Sequence, residues 1–410
     1  MDDNKAMVEF SLGKVPSDKV FLRSITVGLD KVSSFIDDEY FKSYIEEGGS
    51  KIKFITGKKG SGKTHLVKLL SFAAEDDGYI VVELDSRNLL LSDLTFLYLE
   101  ILKNIDFDDL IKKSAINMVR SLGYDYSPEC GKKFRDWLSD SDSFSFYRKQ
   151  ELRDALESFY HDNPNLDYNF GQVVSFLASV FLGEISSNKE AEEISKKWLY
   201  VAKDLKISQL RNSGLAGYKI NKLNARFMIR SIAELVHLAG YKGLFVSIDN
   251  LDSLLSSSSL NPVKYTKMKR DDAYEAIREL IDDIDVFRYF FLVFAFNRSL
   301  IDNEKYGIKS YQALWLRIQN EIVSSRVNLY TDLLDLDKIN GFIYTKESIL
   351  EMNKRQMSML SSYHVSALPM TEDKAKELLK EAKYGGVSLP LLVNRFTFER
   401  DKKEREENGL

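Results

Sequence analysis

Eight residues, Gly57-Lys58-Lys59-Gly60-Ser61-Gly62-Lys63-Thr64, constrain this chain more than any other stretch. They fit G-x-x-x-x-G-K-[ST] at every fixed position. Their flanks have the required character. Lys51 to Thr56 (KIKFIT) is a short run rich in β-branched and aromatic residues, and the residues after Thr64 place Leu66, Leu69, Leu70 and Ala73 on one helical face. A strand, a glycine-rich bend and a helix N-terminus in that order make an anion cradle. The glycines let the backbone curl with its N–H groups inward, and the helix end adds partial positive charge. In such a cradle Lys63 reaches the β- and γ-phosphates of a nucleoside triphosphate, and the Thr64 hydroxyl holds Mg²⁺. ATP and Mg²⁺ are therefore the expected cofactors. Gly57, Lys58, Lys59, Gly60, Ser61, Gly62, Lys63, Thr64 and the adjoining His65 are the expected nucleotide-binding residues, with Thr64 also a metal ligand.

The rest of the chain reads as α/β. Tyr79 to Leu84 (YIVVEL), Gly243 to Ile248 (GLFVSI) and Tyr289 to Phe296 are nearly continuous apolar runs, the pattern of strands buried on both faces of a parallel sheet. Helical patterns separate them, over Leu29–Glu47, from Leu89 to about Ile105, from Ala225 to Gly240, and over Asp271–Asp285. Residues 106–225 carry helical stretches with polar breaks and no repeat, which reads as an insertion. Toward the C-terminus, Ser358 to Leu368 is expected to be irregular, a helix begins at Thr371 and stops at Gly385-Gly386, and a last helix starts near Pro390. The expected organisation is a lead-in and first half of a P-loop ATPase core at 1–105, a helical insertion at 106–225, the second half of the core at 226–330, and a helical C-terminal lid or winged part at 331–410.

Composition narrows the partners. Hydrophobic residues are 44% of 410 and aromatics 12%, enough for a large core and against a disordered chain. Lys plus Arg (58) nearly balances Asp plus Glu (62), so contact with DNA needs a local basic face or a partner protein. Lys264, Lys267, Lys269 and Arg270, after the Ser256–Ser259 loop, are a candidate basic face or a solvated helix start. Tyr124, Tyr126, Phe134, Trp137, Phe144, Phe146, Tyr147 and Phe159 are either base-stacking platforms or the core of the insertion. The one cysteine, Cys130, excludes an intramolecular disulfide and a Cys-based zinc site. With neither a signal peptide nor an apolar run of about 20 residues, a cytoplasmic protein without a membrane partner is expected.

Two strand ends supply candidate catalytic groups. Leu244-Phe-Val-Ser-Ile-Asp249 is an apolar strand ending in a carboxylate, the usual way to set an acid beside a Thr-bound Mg²⁺, so Asp249 is the second metal-ligand candidate. The next residue is Asn250, which can position a water but cannot act as a base. Asp252 can reach in as well. Asn297, at the tip of the Phe290–Phe296 strand, can touch a γ-phosphate or serve as a turn residue. Asp249, Asn250, Asp252 and Asn297 are the expected catalytic set. An arginine for the phosphates is to be sought among Arg298, Arg317, Arg326 and Arg395.

Residues 228–252 (MIRSIAELVHLAGYKGLFVSIDNLD) resemble the second nucleotide-binding segment of the ATP-binding proteins of bacteriophage-exclusion (BREX) systems, the BrxC/BrxD type. Val15 to Gly28, Arg270 to Arg278 and Gly385 to Arg395 resemble further parts of that family. The resemblance implies an AAA+-like ATPase that acts with other defence proteins on DNA, as a homo- or hetero-oligomer, with Gly28 near the adenine. The family pattern has Glu where this chain has Asn250, so slow hydrolysis is expected. The Asp-Asn-Leu-Asp run also resembles nucleotide switches of the STAND and KAP types. A motor or switch, an origin-recognition-like DNA loader, and a hydrolysis-deficient ATP-gated scaffold are the functions these residues leave open.

Overall fold

The structure is a computed structural model that describes residues 3–140, 146–255, 262–319, 327–365, 367–385 and 387–399. Five strands, β1 (Ser50–Gly57), β2 (Ile80–Asp85), β3 (Leu244–Asp249), β4 (Phe290–Asn297) and β5 (Leu333–Asp335), form one sheet in the order β2-β3-β4-β1-β5. Every neighbouring pair is parallel, so all five C-terminal ends lie along one edge. The register pairs Gly57 with Asn297 and Asp85 with Asp249 on that edge. Ligands of open parallel sheets bind there, because helix N-termini gather at the same end.

Side chains alternate across each strand and build two core layers. Ile55, Phe245, Phe291 and Val293 pack with Leu66 and Leu70 of the helix Lys63–Asp76 and with Leu29, Val32 and Phe41. On the opposite face Phe54, Val246, Leu292 and Phe294 share one apolar cluster with Leu97 and Ile101 of the helix Leu94–Lys103 and with Phe107, Phe170 and Trp198 of the insertion. The insertion is thus continuous with the core of the sheet. Its described residues hold helices and no strand. Asp106, Asp167 and Asn188 start three of these helices by accepting backbone N–H bonds.

Of the aromatic residues offered as stacking platforms, Tyr124, Tyr126, Phe134, Trp137 and Phe159 belong to the apolar cluster. Tyr126 and Phe134 are buried with rings 5.3 Å apart, Trp137 stacks on Phe134 at 5.9 Å, and Tyr124 meets Phe134 edge-on at 5.4 Å. Phe144 lies outside the described residues.

Three expectations need correction. The YIVVEL run does not make a strand buried on both faces. β2 is the edge strand, Glu83 is exposed and only Val82 of Ile80–Asp85 is fully buried. An apolar run reports tolerance of burial, not position in the sheet. The irregular stretch expected from Ser358 is helical through Ser362, because Lys346–Ser362 is one helix whose last turn is anchored by the fully buried Leu360. Arg270 is not part of a basic face. It is buried, and its Nε donates to the Leu254 carbonyl at 2.6 Å. The Ser256–Ser259 loop lies outside the described residues.

β5 was not legible in the sequence, since three residues carry no periodicity. It extends the sheet beyond residue 330 and leads into the C-terminal helices Leu336–Ile343, Lys346–Ser362, Glu372–Tyr384 and Leu389–Thr397. These pack with the lead-in. Phe10, Phe21 and Ile25 join Leu360 and Phe398 in one cluster, and Val27 packs on Tyr344, Met352 and Leu392 in another. Among the described residues no helix is long and apolar enough to cross a membrane.

Candidate nucleotide site

β1 ends at Gly57, the chain bends through Gly60 (φ +82°) and Gly62 (φ +95°), and the helix Lys63–Asp76 begins. Both glycines are in the left-handed region, which costs any other residue roughly 1–2 kcal/mol. Both also face neighbours: a Cβ on Gly60 would stand 2.8 Å from Leu391 Cβ, and one on Gly62 2.7 Å from Leu29 Cδ1. The bend is therefore packed from one side by the lead-in and from another by the last helix.

Lys63 Nζ donates to the carbonyls of Gly57 and Lys58, both at 2.9 Å, across the mouth of the bend. Burial lowers its pKa, and Asp252, Asp249 and Asp337 work against that. Thr64 Oγ1 donates to Asp249 Oδ2 at 2.6 Å. Residues 185 positions apart thus meet as two oxygen donors, the ligand chemistry of a hard divalent cation. Burial raises the Asp249 carboxyl, opposed by the Thr64 hydroxyl and the Asn250 N–H.

The other strand-end residues form a connected set. Asn250 is left-handed (φ +60°), its N–H donates to Asp249 Oδ1 at 2.7 Å, and its Nδ2 donates to Asp85 Oδ2 at 3.1 Å. Asp252 Oδ1 accepts the Asn297 N–H at 2.8 Å, which ties the turn after β3 to the end of β4. Asn297 in turn accepts the Ser299 N–H on Oδ1 at 3.2 Å.

The arginine candidates part company. Arg298 donates its N–H to Gly57 O at 3.1 Å, and its guanidinium reaches Asp335 at 2.7 Å and Asp337 at 3.6 Å. Arg317 is bound to Asp282 and the Ala313 carbonyl. Arg395 borders the cavity described below. Arg326 lies outside the described residues.

Several residues here had no motif to reveal them. Asp337 accepts the Lys58 N–H on both oxygens, at 3.1 and 3.0 Å, and Asn340 Nδ2 donates to the Ser61 carbonyl at 2.9 Å. Both belong to the helix that follows β5. Asp335 caps that helix by accepting the Asp337 N–H at 3.0 Å, and this capping pattern was the one local signal available.

A cavity of 1070 Å³ opens beside the bend. Its walls include Lys59, Thr64 and His65, the lead-in residues Thr26 and Val27, and Tyr344 of the C-terminal part. Thr26 and His65 lock two walls together. The Thr26 hydroxyl donates its single hydrogen to Leu22 O at 2.6 Å, so it accepts from His65 Nε2–H at 2.7 Å. Burial pushes the His65 pKa down to about 4, which keeps this tautomer neutral. Gly28 adopts φ +87° between these walls, with Ile343 pressed against the space a side chain would need. Arg355 donates to the Thr26 carbonyl at 2.7 Å and so fastens the lead-in to the C-terminal helices.

The family model described as BREX system ATP-binding protein BrxC/D matches residues 4–385. The chain belongs to this family. No curated protein and no solved structure matches it. As a BrxC/BrxD family member it is an ATP-binding protein of a BREX defence system, and its parallel five-stranded sheet is a P-loop NTPase fold with a helical insertion and a helical C-terminal part.

Proposed function

We propose that the chain is a Mg²⁺-ATP-dependent switch of AAA+ type within a BREX complex. Gly57 to Thr64 would bind the phosphates, Thr64 and Asp249 Mg²⁺, and Asn250, Asp252 and Asn297 the γ-phosphate surroundings. The observation that carries this reading is the 2.6 Å approach of Asp249 to Thr64, a residue that lines the cavity. Because that cavity is walled by the lead-in and the C-terminal helices as well as by the bend, a nucleotide filling it touches all three. Its presence and phosphorylation state then bias how the C-terminal helices sit on the core, as a lid would. Gly28 would border the adenine, with His65 beside it. In this reading the core spans 1–105 and 226–330 together with β5, the insertion is 106–225, and the remainder to 410 forms the lid.

Asn250 supports slow turnover, which suits a switch better than a motor. A loader that binds duplex DNA by itself is the weaker reading, since Arg270 is buried and leaves Lys264, Lys267 and Lys269 alone. DNA contact is then made through partner proteins. Calorimetry with Mg²⁺-ATP tests the core of the reading. Lys63→Ala abolishes binding, and Asp249→Ala removes the Mg²⁺ dependence of affinity; unchanged affinity in the first would refute it. Solution mass with and without Mg²⁺-ATP reports whether nucleotide drives assembly.

A further inference from the structure

We propose that Asp85, at the end of the edge strand, is a positioning residue for ATP hydrolysis that holds the Asn250 amide with its oxygen turned to the attacking water. The inference rests on the reading above of a Mg²⁺-ATP site at Thr64 and Asp249.

Asp85 and Asp249 are register partners on adjacent parallel strands, so the Asp85 carboxylate stands one strand spacing from the proposed metal ligand. It accepts Asn250 Nδ2 at 3.1 Å. A carboxylate only accepts, so the amide must present its NH₂ to Asp85 and its oxygen away from it. The backbone of Asn250 is tied as well, by its N–H to Asp249 Oδ1 at 2.7 Å, in a left-handed conformation that asparagine tolerates better than glutamate. Asp85 is itself held still. Arg87 donates its backbone N–H to Oδ1 at 2.9 Å and its Nε to both oxygens at 3.0 and 2.9 Å. Arg87, Asp85 and Asn250 therefore make a chain of fixed polarity that ends in a hydrogen-bond acceptor.

An acceptor is sufficient for this chemistry. As the water oxygen bonds to the γ-phosphorus, the bond from that phosphorus to the β–γ bridging oxygen breaks, and its electron pair leaves with ADP. The water proton passes to an oxygen of the transferred phosphoryl group. Asn250 orients the water and takes no proton, as an amide side chain does in other P-loop NTPases. A glutamate at position 250 would oppose the Asp85 charge, so the two positions are matched.

The test is single-turnover hydrolysis of Mg²⁺-ATP by the full chain, with ATP affinity measured in parallel. Asp85→Asn and Asn250→Asp each slow hydrolysis roughly tenfold or more, with affinity held within about twofold. The double variant Asp85→Asn/Asn250→Asp rebuilds the bond with donor and acceptor exchanged and recovers the rate. In an Asn250→Ala background, Asp85→Asn has no further effect on the rate. Additive losses in the double variant, or losses in affinity and melting temperature that parallel the rate, overturn the proposal and leave Asp85 a structural residue. A wild-type chain that binds Mg²⁺-ATP without hydrolysing it also overturns the proposal, with the binding site intact. Absence of binding in both wild type and Lys63→Ala removes the nucleotide reading and this inference together.

Discussion

The Lys58 N–H donates to both carboxylate oxygens of Asp337, at 3.1 and 3.0 Å. The start of the phosphate-cradling bend is thereby fixed by a residue 279 positions away, just past the fifth strand. Arg298 reinforces the join, since it bonds Gly57 O through its own N–H and Asp335 through its guanidinium.

Asp337→Ala should therefore loosen the bend without dismantling the sheet. The lost charge-assisted bonds are worth about 1.5–3 kcal/mol, so ATP affinity should fall roughly tenfold or more. Calorimetry measures it, and an affinity equal to wild type would show that the bend keeps its shape without this carboxylate.

Gly28→Ala should separate the lead-in from the C-terminal helices. The position needs φ +87°, and an added methyl runs into Ile343 Cγ2. Left-handed strain of about 1–2 kcal/mol and overpacking of about 1–3 kcal/mol act together. Denaturant unfolding should show a loss within their sum. Wild-type stability would mean that the lead-in shifts at no cost.

Lys53 is fully buried on β1, under the ring of Tyr40 at 4.5 Å. Its ammonium donates to the carbonyls of Leu329, Tyr330 and Thr331 at 3.0, 3.3 and 2.9 Å, which holds the chain segment leading into β5. Burial, with the Lys51 charge beside it, pulls its pKa down to about 7 against the opposing charge of Asp332. Lys53→Met removes the charged donor that these part-buried carbonyls share and should cost about 1–3 kcal/mol. A variant as stable as wild type at pH 7 would show that this segment stays in place by packing alone.

His65 makes stability depend on pH in a stated direction. Its folded pKa, about 4, lies below its ordinary value of 6.5. The unfolded chain binds the extra proton between those values, so the contribution is complete above pH 6.5 and is lost as pH falls toward 4. The imidazole borders the cavity, where solvent screens part of the effect, so the loss is roughly 1–3 kcal/mol. Unfolding free energies of wild type and His65→Asn at pH 7 and pH 5 should converge on acidification. Parallel curves would remove His65 as the cause.

The α/β class and the bend were legible in the residue order alone. Gly57 to Thr64 is a local pattern, and a local pattern is sufficient where one short stretch of backbone makes the contacts. Asp249 and Asn297 were legible as strand ends, because apolar runs mark where strands stop. The edge position of β2, the strand β5 and the carboxylates of Asp335 and Asp337 were not. Each depends on which segments become neighbours, and three residues of strand or a lone aspartate look alike in any context.

The amino-acid order alone determined that a glycine-rich bend opens a helix after a buried strand, since steric freedom at Gly60 and Gly62 and helix-end charge are properties of adjacent residues. Tertiary structure alone decided what surrounds that bend. Parallel pairing set Asp85 beside Asp249, and folding of the two chain ends onto each other walled the cavity with Thr26 and Tyr344. Hydrogen bonds and packing act over a few ångströms, so partners far apart in sequence acquire meaning only once the chain has brought them within that range.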